Sequence, residues 1–358
     1  MSRTAVVFGG PSPEHDISVL TGLQASRILS NAGEDVQAVY WSKTGLWFQV
    51  DPGHEASEFE GGPPPKARQL RFVAERGQGW MSRKRSLGIE VALLCCHGAP
   101  GEDGTLQGAL DLVGVRYSGP DAASSSLGMD KLAFGAVVAA AGLASLPRSL
   151  VGSDLDPGFE GPYIVKPRFG GSSIGIEVVE DYHTAQALVR SSVHMVRGGV
   201  VEPYLEGSRD LNLAIRTHPE FETSAIEAPI STGFYGYEEK YLAGGGLEGS
   251  ARALPAELSD DVESTIRSSA KVVTELAGVR SMARLDFLER DGEVWVNEIN
   301  TIPGSLSLYL WVDPPISKRQ LVLDLVAEIE GFEPRRFPTD GADGVALKSA
   351  ASIAQKLG

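Results

Sequence analysis

Arg284 and Asp286 stand two apart in one strand-like run, and Glu298 and Asn300 stand two apart in the next. Successive strand side chains point to opposite faces, so each pair shares a face. If the connection is the three residues Asp291-Gly-Glu293, Asp286 lies opposite Glu298 and Arg284 opposite Asn300. A two-residue Asp-Gly turn would instead set Asp286 against Asn297. In the first register two carboxylates and an amide oxygen converge, a donor set suited to a hard, oxygen-preferring cation such as Mg²⁺. Without a cation, facing carboxylates repel. A solvated hairpin face is the plain alternative.

Three further segments have chemical character. The loop Gly170-Gly-Ser-Ser-Ile-Gly175 joins two predicted strands and lacks the Gly-x4-Gly-Lys-Ser/Thr spacing of a P-loop. Its backbone N–H groups and the hydroxyls of Ser172 and Ser173 can still approach a phosphate as a flap, with Lys166 just before it. Read singly, Lys166 and Lys131 are ordinary surface lysines. The segment Gly9-Gly-Pro-Ser-Pro-Glu14-His15 follows the first strand and opens the first helix, where open α/β sheets bind ligands. It is not Gly-x-Gly-x-x-Gly, which argues against a dinucleotide fold. His97, within His97-Gly-Ala-Pro-Gly-Glu-Asp-Gly-Thr105, likewise ends a buried strand and precedes a helix, with Glu14 on the neighbouring strand's loop.

The elements that must position these groups alternate. Strands at Thr4 to Phe8, Val36 to Tyr40 and Val91 to Cys96, with helices from about Ser18 to Ser30 and after Thr105, predict an α/β domain with a parallel sheet over 1–121. Asp51 to Arg85, rich in Pro, Gly and charge, reads as an exposed insertion. A second unit, 122–209, opens with a helix from about Asp130 to Ala141 and holds the glycine-serine loop. A third, 210–358, is α+β; it carries a Gly-rich loop at 243–249, a helix capped by Ser259, the hairpin, and a tail with a helical stretch from Val345 to Leu357. The longest apolar runs are too short to span a membrane, and no signal peptide is read at the start, so the cytoplasm is expected. A net charge of −15 disfavours nucleic acid. Cys95 and Cys96 are neighbours on one strand and point apart, so they read as buried free thiols rather than a bridge.

At these residues the sequence resembles the D-alanine:D-alanine ligases of the ATP-grasp superfamily along nearly its whole length. The resemblance is carried by His97-Gly-x-x-Gly-Glu-Asp-Gly-Thr-Leu-Gln-Gly108, Gly9-Gly-x-Ser-x-Glu14-His15, Gly128-Met-Asp-Lys131 and Ile164-Val-Lys-Pro-x-x-Gly-Gly-Ser-Ser-Ile-Gly175. Phe234-Tyr-x-Tyr-x-x-Lys-Tyr241 and Arg284-x-Asp-Phe through Asn297-Glu-Ile-Asn-Thr-x-Pro-Gly304 complete it.

It implies an ATP-grasp fold and a ligase that activates one D-alanine as an acyl phosphate and joins it to a second. ATP would lie between the central and C-terminal units, with Lys131, Lys166, Ser172, Ser173 and Lys240 on its phosphates. Glu202 and Leu205 would border adenine, and Asp210 would stand at the ribose. Asp286, Glu298 and Asn300 would hold a pair of Mg²⁺ or Mn²⁺ ions. Glu14 would take the first substrate's ammonium and His97 would sit near its carboxylate. Ser172 and Tyr241 would link Glu14 to a closing loop, and Arg284 with the Gly304 N–H would meet the tetrahedral oxyanion. A homodimer is the expected assembly.

The acceptor site departs from the family pattern Pro-Gly-x-Thr-x-x-Ser, since this chain reads Pro303-Gly-Ser-Leu-Ser-Leu-Tyr309. Without a gap Tyr309 takes the serine's place; a two-residue deletion restores Ser307 and Leu308 as acceptor-binding residues. Two other readings compete: an amide ligase of the same build with a different acceptor, and a nucleotide-binding regulator without turnover.

Overall fold

Thr4–Gly9 (β1) and Val91–Leu94 (β7) are apolar without alternation, as strands covered on both faces must be, and in the computed structural model they pair in parallel at the centre of one sheet. The structure describes residues 3–152, 155–230, 251–349 and 353. Val36–Trp41 (β2) flanks β1 in parallel and Arg116–Tyr117 (β8) flanks β7 in parallel. The helix His15–Ala32 (α1) crosses between β1 and β2, and Thr105–Val113 (α2) leads into β8.

The rest of this eight-stranded sheet differs from expectation. Trp47–Val50 (β3), Arg68–Val73 (β4), Gly79–Ser82 (β5) and Arg85–Ser86 (β6) continue it antiparallel beyond β2. The segment read as an exposed insertion therefore lengthens the sheet. Its few apolar residues suffice because they are large and inward: Phe59, Leu70 and Trp80 are buried, and the Trp80 ring meets Trp47 and Phe72 edge-on at 5.4 and 5.3 Å.

A second sheet orders Glu177–Val179 (β11), Tyr163–Pro167 (β10), Gly199–Pro203 (β12) and Ser149–Leu150 (β9), all antiparallel. Ala122–Met129 (α3) and Lys131–Ala140 (α4) precede it, each capped by an aspartate side chain, and Tyr182–Ser191 (α5) covers it, capped by Asp181.

The third sheet runs Arg252–Ala253 (β15), Glu222–Pro229 (β14), Arg209–Arg216 (β13), Met282–Arg290 (β16), Glu293–Asn300 (β17). The helix Asp260–Leu276 (α6), capped by the Ser259 side chain, packs on it through Val262, Ile266, Ala270 and Val273. The following turn Gly304–Leu310 and helix Lys318–Gly331 (α7) then return to the first sheet, where Leu306, Leu308, Leu310, Leu321 and Leu325 join its core. Helix Val345–Ser349 (α8) keeps the start of the expected tail helix; most residues beyond it lie outside those described. Among the described residues no helix is long and apolar enough to cross a membrane.

Candidate active site

One cavity gathers residues of the second and third sheets together with Glu14, His97 and Glu102 from the loops that follow β1 and β7 of the first. Its floor is a row across the third sheet. Glu227 of β14 pairs with Asn212 of β13, Asn212 with Asp286 of β16, and Asp286 with Glu298 of β17.

The hairpin reaches this register by an unexpected route. Its turn is the two-residue Asp291-Gly292, both with positive φ (53° and 86°), and Arg290 pairs with Glu293. Continued regularly, that ladder would set Asp286 against Asn297. A bulge between Asp286 and Phe287 absorbs Asn297, so Asp286 faces Glu298 and Arg284 faces Asn300. The shorter turn and the convergent register thus coexist. The bulged Asn297 is itself used: its side-chain oxygen accepts from Lys166 Nζ at 3.1 Å, and its carbonyl accepts from Arg148.

Each floor carboxylate has a cationic neighbour. Arg284 grips Asp286 through two hydrogen bonds of 2.6 and 2.7 Å, the Asn300 amide donates to Asp286 at 3.1 Å, and Lys131 Nζ stands 2.8 Å from Glu298. Among the described residues no three His, Cys, Asp or Glu side chains group as metal ligands. A divalent ion here would need Asn300 as its third protein donor. The all-oxygen set, with both carboxylates already drawing cations, fits such an ion.

Above the floor, Glu202 is fully buried between Lys166 at 2.8 Å and Arg148 at 2.9 Å. Burial alone would push its pKa up, but the lysine and arginine outweigh that and hold the carboxyl below its ordinary value. Arg148 also donates to the Lys131 carbonyl at 2.6 Å. One network thus ties β10, β12, α4 and the hairpin bulge together. Leu146, Ile164, Leu205 and Leu288 give this end of the cavity an apolar wall, and Asp210 stands beside them.

At the opposite end Glu14 precedes α1 and accepts from the Ser172 hydroxyl across the cavity. Two glycines make room for it: a Cβ on Gly98 would meet Glu14 Oε2 at 2.5 Å, and one on Gly171 at 2.9 Å. His97 is buried, with Nδ1 2.7 Å from the Ile302 carbonyl and Nε2 2.8 Å from Thr21 Oγ1. A carbonyl only accepts, so Nδ1 bears the proton and Nε2 accepts from Thr21. Burial, with Arg284 adding to it, lowers the imidazole to about 4 against the pull of the Ile302 carbonyl. Both ring nitrogens serve protein groups, so His97 borders the cavity as a neutral brace. Glu102, named in the sequence only as part of a motif, is buried beside it. It accepts from Ile302 N at 2.8 Å, Gly98 N at 3.1 Å and Thr301 Oγ1 at 3.3 Å, and burial with Glu14 nearby raises it to about 7.

Glu14, His97, Lys166, Ser172, Ser173, Glu202, Leu205, Asp210, Arg284, Asp286, Glu298, Asn300 and Gly304 all line this one cavity, and Lys131 reaches it through Glu298. Ser307 and Leu308 do not. Ser305, Leu306 and Ser307 share left-handed backbone angles (φ 50°), and the turn carries Ser307 and Leu308 into the core, the former with no exposed surface. Tyr309 lines the cavity where the gapped pairing expected Ser307 and Leu308. Lys240, Tyr241 and the Gly-rich loop at 243–249 lie outside the described residues. Sequence reasoning did not find Glu227, Asn212, Arg148 or Asn297. Glu227 and Asn212 alternate with buried apolar residues, a signal available in the pattern; Asn297 depended on the bulge.

Two family profiles match the chain: "D-ala D-ala ligase N-terminus" over residues 3–120 and "D-ala D-ala ligase C-terminus" over residues 149–327. The chain is 33% identical over 325 residues to a D-alanine--D-alanine ligase of Pelodictyon phaeoclathratiforme, covering 84% of this chain and 89% of that one. It is also 33% identical over 318 residues to a putative D-alanine--D-lactate ligase of Streptomyces coelicolor, covering 85% and 90%. In fold it superposes on D-alanyl-alanine synthetase A of Vibrio cholerae with a TM-score of 0.76 at 23% identity, covering 92% of this chain and 98% of that one.

Proposed function

The chain belongs to the D-alanine:D-alanine ligase family, with an ATP-grasp fold and ATP-dependent ligase activity, and from that premise we propose how its residues divide the work. The first substrate is D-alanine, held at the Glu14 end, and the product is a peptide bond to a second D-amino acid. The observation that carries this reading is the single cavity. It sets the Glu14–Ser172 pair against the Asp286–Glu298 floor, with Lys131 and Lys166 between sheets.

Glu14, a carboxylate at the mouth of the first sheet, attracts the ammonium of D-alanine and leaves that substrate's carboxylate facing the floor. ATP occupies the apolar end bordered by Leu205, Leu146 and Ile164, with Glu202 at its base and Asp210 at the ribose. Lys131, Lys166 and the hydroxyls of Ser172 and Ser173 surround its phosphates, and the family resemblance adds Lys240 to them. Phosphoryl transfer needs positioning and charge neutralisation more than covalent help from the protein, and this ring of donors supplies both. Asp286, Glu298 and Asn300 would hold Mg²⁺ or Mn²⁺, which neutralises phosphate charge when bound. Arg284 and the Gly304 N–H face the carbonyl that the second amine attacks, where hydrogen-bond donors stabilise a developing oxyanion. The family resemblance gives Tyr241 a part in shutting out water, which otherwise hydrolyses an acyl phosphate. The resemblance also supports a cytoplasmic homodimer.

The test is phosphate release from ATP that depends on D-alanine. Glu298→Gln removes a floor charge at constant volume and is expected to lower kcat about a hundredfold or more, the scale of the several kcal/mol a positioned metal ion contributes, while far-UV circular dichroism stays unchanged. Near-normal turnover at saturating Mg²⁺ would take Glu298 out of the metal site. The second amino acid is not inherited so simply, because relatives of equal identity are named for different acceptors.

A further inference from the structure

The floor row has one carboxylate that the ligase chemistry above leaves unused. Glu227 is 2% exposed and lines the cavity beside Tyr309, on the side of the Gly304–Leu310 turn. Its carboxylate is held by three donors: Asn212 Nδ2 at 3.0 Å and the Tyr309 hydroxyl at 3.2 Å on Oε2, and Arg252 at 2.8 Å on Oε1. Arg252 also lies 4.7 Å over the Tyr309 ring. Burial, with Glu227 beside it, raises the Tyr309 phenol well above its ordinary range, so the phenol keeps its proton and donates. Tyr309 stands where the family pattern has a serine, and its ring is fixed by these contacts as a wall of the acceptor subsite.

A carboxylate offers about four acceptor positions, and among the described residues three are filled. An acceptor amino acid presents three groups to this wall. Its amine must face the activated carbonyl near Arg284 and Gly304, and its own carboxylate finds no donor on Glu227, whose oxygens only accept. Its side chain is the group left to meet the wall.

Resting on the ligase reading above, we infer that Glu227, held in place by Asn212 and Arg252, is a specificity-determining residue that selects a second amino acid whose side chain donates a hydrogen bond, a hydroxyl or an amine, over one ending in a methyl group. A methyl group pressed against Glu227 strips water from a charged oxygen and returns nothing. A donor replaces that water. Sites built to hydrogen-bond a substrate group discriminate strongly against analogues lacking it.

The experiment is a competition in the full-length protein with ATP and Mg²⁺. D-alanine and D-serine are supplied at equal concentration, and products are identified, including residue order, by fragmentation mass spectrometry. The ratio of D-alanyl-D-serine to D-alanyl-D-alanine is expected to be about tenfold or more. In Glu227→Gln, which puts a donor where the carboxylate oxygen was, the ratio should fall towards one. In Tyr309→Phe, which takes a donor away from Glu227, it should hold or rise. A purely structural role would move both variants the same way. A wild-type ratio of one or less, an unchanged ratio in Glu227→Gln, or parallel shifts in the two variants overturns the inference. Trapping with hydroxylamine tests the premise separately: formation of D-alanine hydroxamate with no serine preference sinks the specificity alone, whereas no hydroxamate removes the ligase reading and this inference with it.

Discussion

Glu102 and His97 sit side by side in the cavity wall and are displaced in opposite directions by the same burial: one is raised to about 7, the other lowered to about 4. Each favours its neutral form in the folded protein. For Glu102 the stabilising form is protonated, so its contribution is complete below the ordinary carboxylate value of 4.5 and is lost as pH rises through about 7. For His97 the stabilising form is unprotonated, so its contribution is complete above 6.5 and is lost as pH falls towards about 4. The two slopes oppose each other in the wild type and have to be separated by substitution. In Glu102→Gln the first disappears. Urea midpoints measured from pH 4.5 to 8 should show the wild type losing stability relative to the variant as pH rises, at about 1.4 kcal/mol per unit of pKa displacement. A pH-independent difference would mean that Glu102 titrates normally.

Among the elements, the loops after β1 and β7 are shaped around a single side chain. Gly98 has φ 67°, and a Cβ there would meet Glu14 Oε2 at 2.5 Å and Ser12 Oγ at 2.6 Å. Gly98→Ala should therefore displace the carboxylate that receives the first substrate and raise its KM by tenfold or more, the scale of about 1.5 kcal/mol lost from a hydrogen bond to a charged group. Gly33 is the control. It ends α1 with φ 87°, and a Cβ there would find nothing within 4 Å. Gly33→Ala should cost only the left-handed strain, about 1 kcal/mol, and leave KM unchanged. Equal kinetic effects in the two variants would show that backbone strain, rather than contact with Glu14, governs the loop. The β16–β17 hairpin makes a related point. Its tight turn favours strand twist, and its bulge restores the facing carboxylates while aiming Asn297 at Lys166.

Across the whole molecule the parts are joined at buried charges. Lys166, Glu202 and Arg148 bring β10, β12 and the hairpin together, and Glu202 has no exposed surface. Removing one partner of a buried pair leaves a charge uncompensated, which costs about 3–5 kcal/mol. Lys166→Met should lose stability of that order in urea unfolding without any nucleotide present, and should also abolish stabilisation by a non-hydrolysable ATP analogue. Wild-type stability in the variant would show that Arg148 alone satisfies Glu202. At the far end of the chain, α7 lies on the first sheet's core, and Arg335 beyond it pairs with Asp111 and Asp121. Helix α7 and the segment just after it thus close on the first unit.

Much of this is legible in the amino-acid sequence alone. Alternation of apolar strands and capped helices points to the parallel centre of the first sheet, because burial on both faces and helix capping are local requirements. The glycine-serine loop, the lysines before it and the spacing of Asp286, Glu298 and Asn300 point to the chemistry, because residue type and strand periodicity suffice for a donor set. What sequence could not decide were matters of register and reach. The turn length argued for one hairpin pairing and the chemistry for another; a bulge, which is a compromise between two strands, reconciled them. Asp51 to Arg85 looked polar because its few buried side chains are scattered, and only a neighbouring strand made Leu70 and Trp80 a face. The acceptor turn offered Ser307 through a gapped pairing, with Tyr309 as the ungapped alternative; in the folded chain Tyr309 lines the cavity and Ser307 has no exposed surface. Glu227 stood out only when Asn212, Arg252 and Tyr309, from three separate stretches of chain, closed around it. Local preference is written residue by residue, but the partners of a buried charge are chosen by the packing of the whole chain.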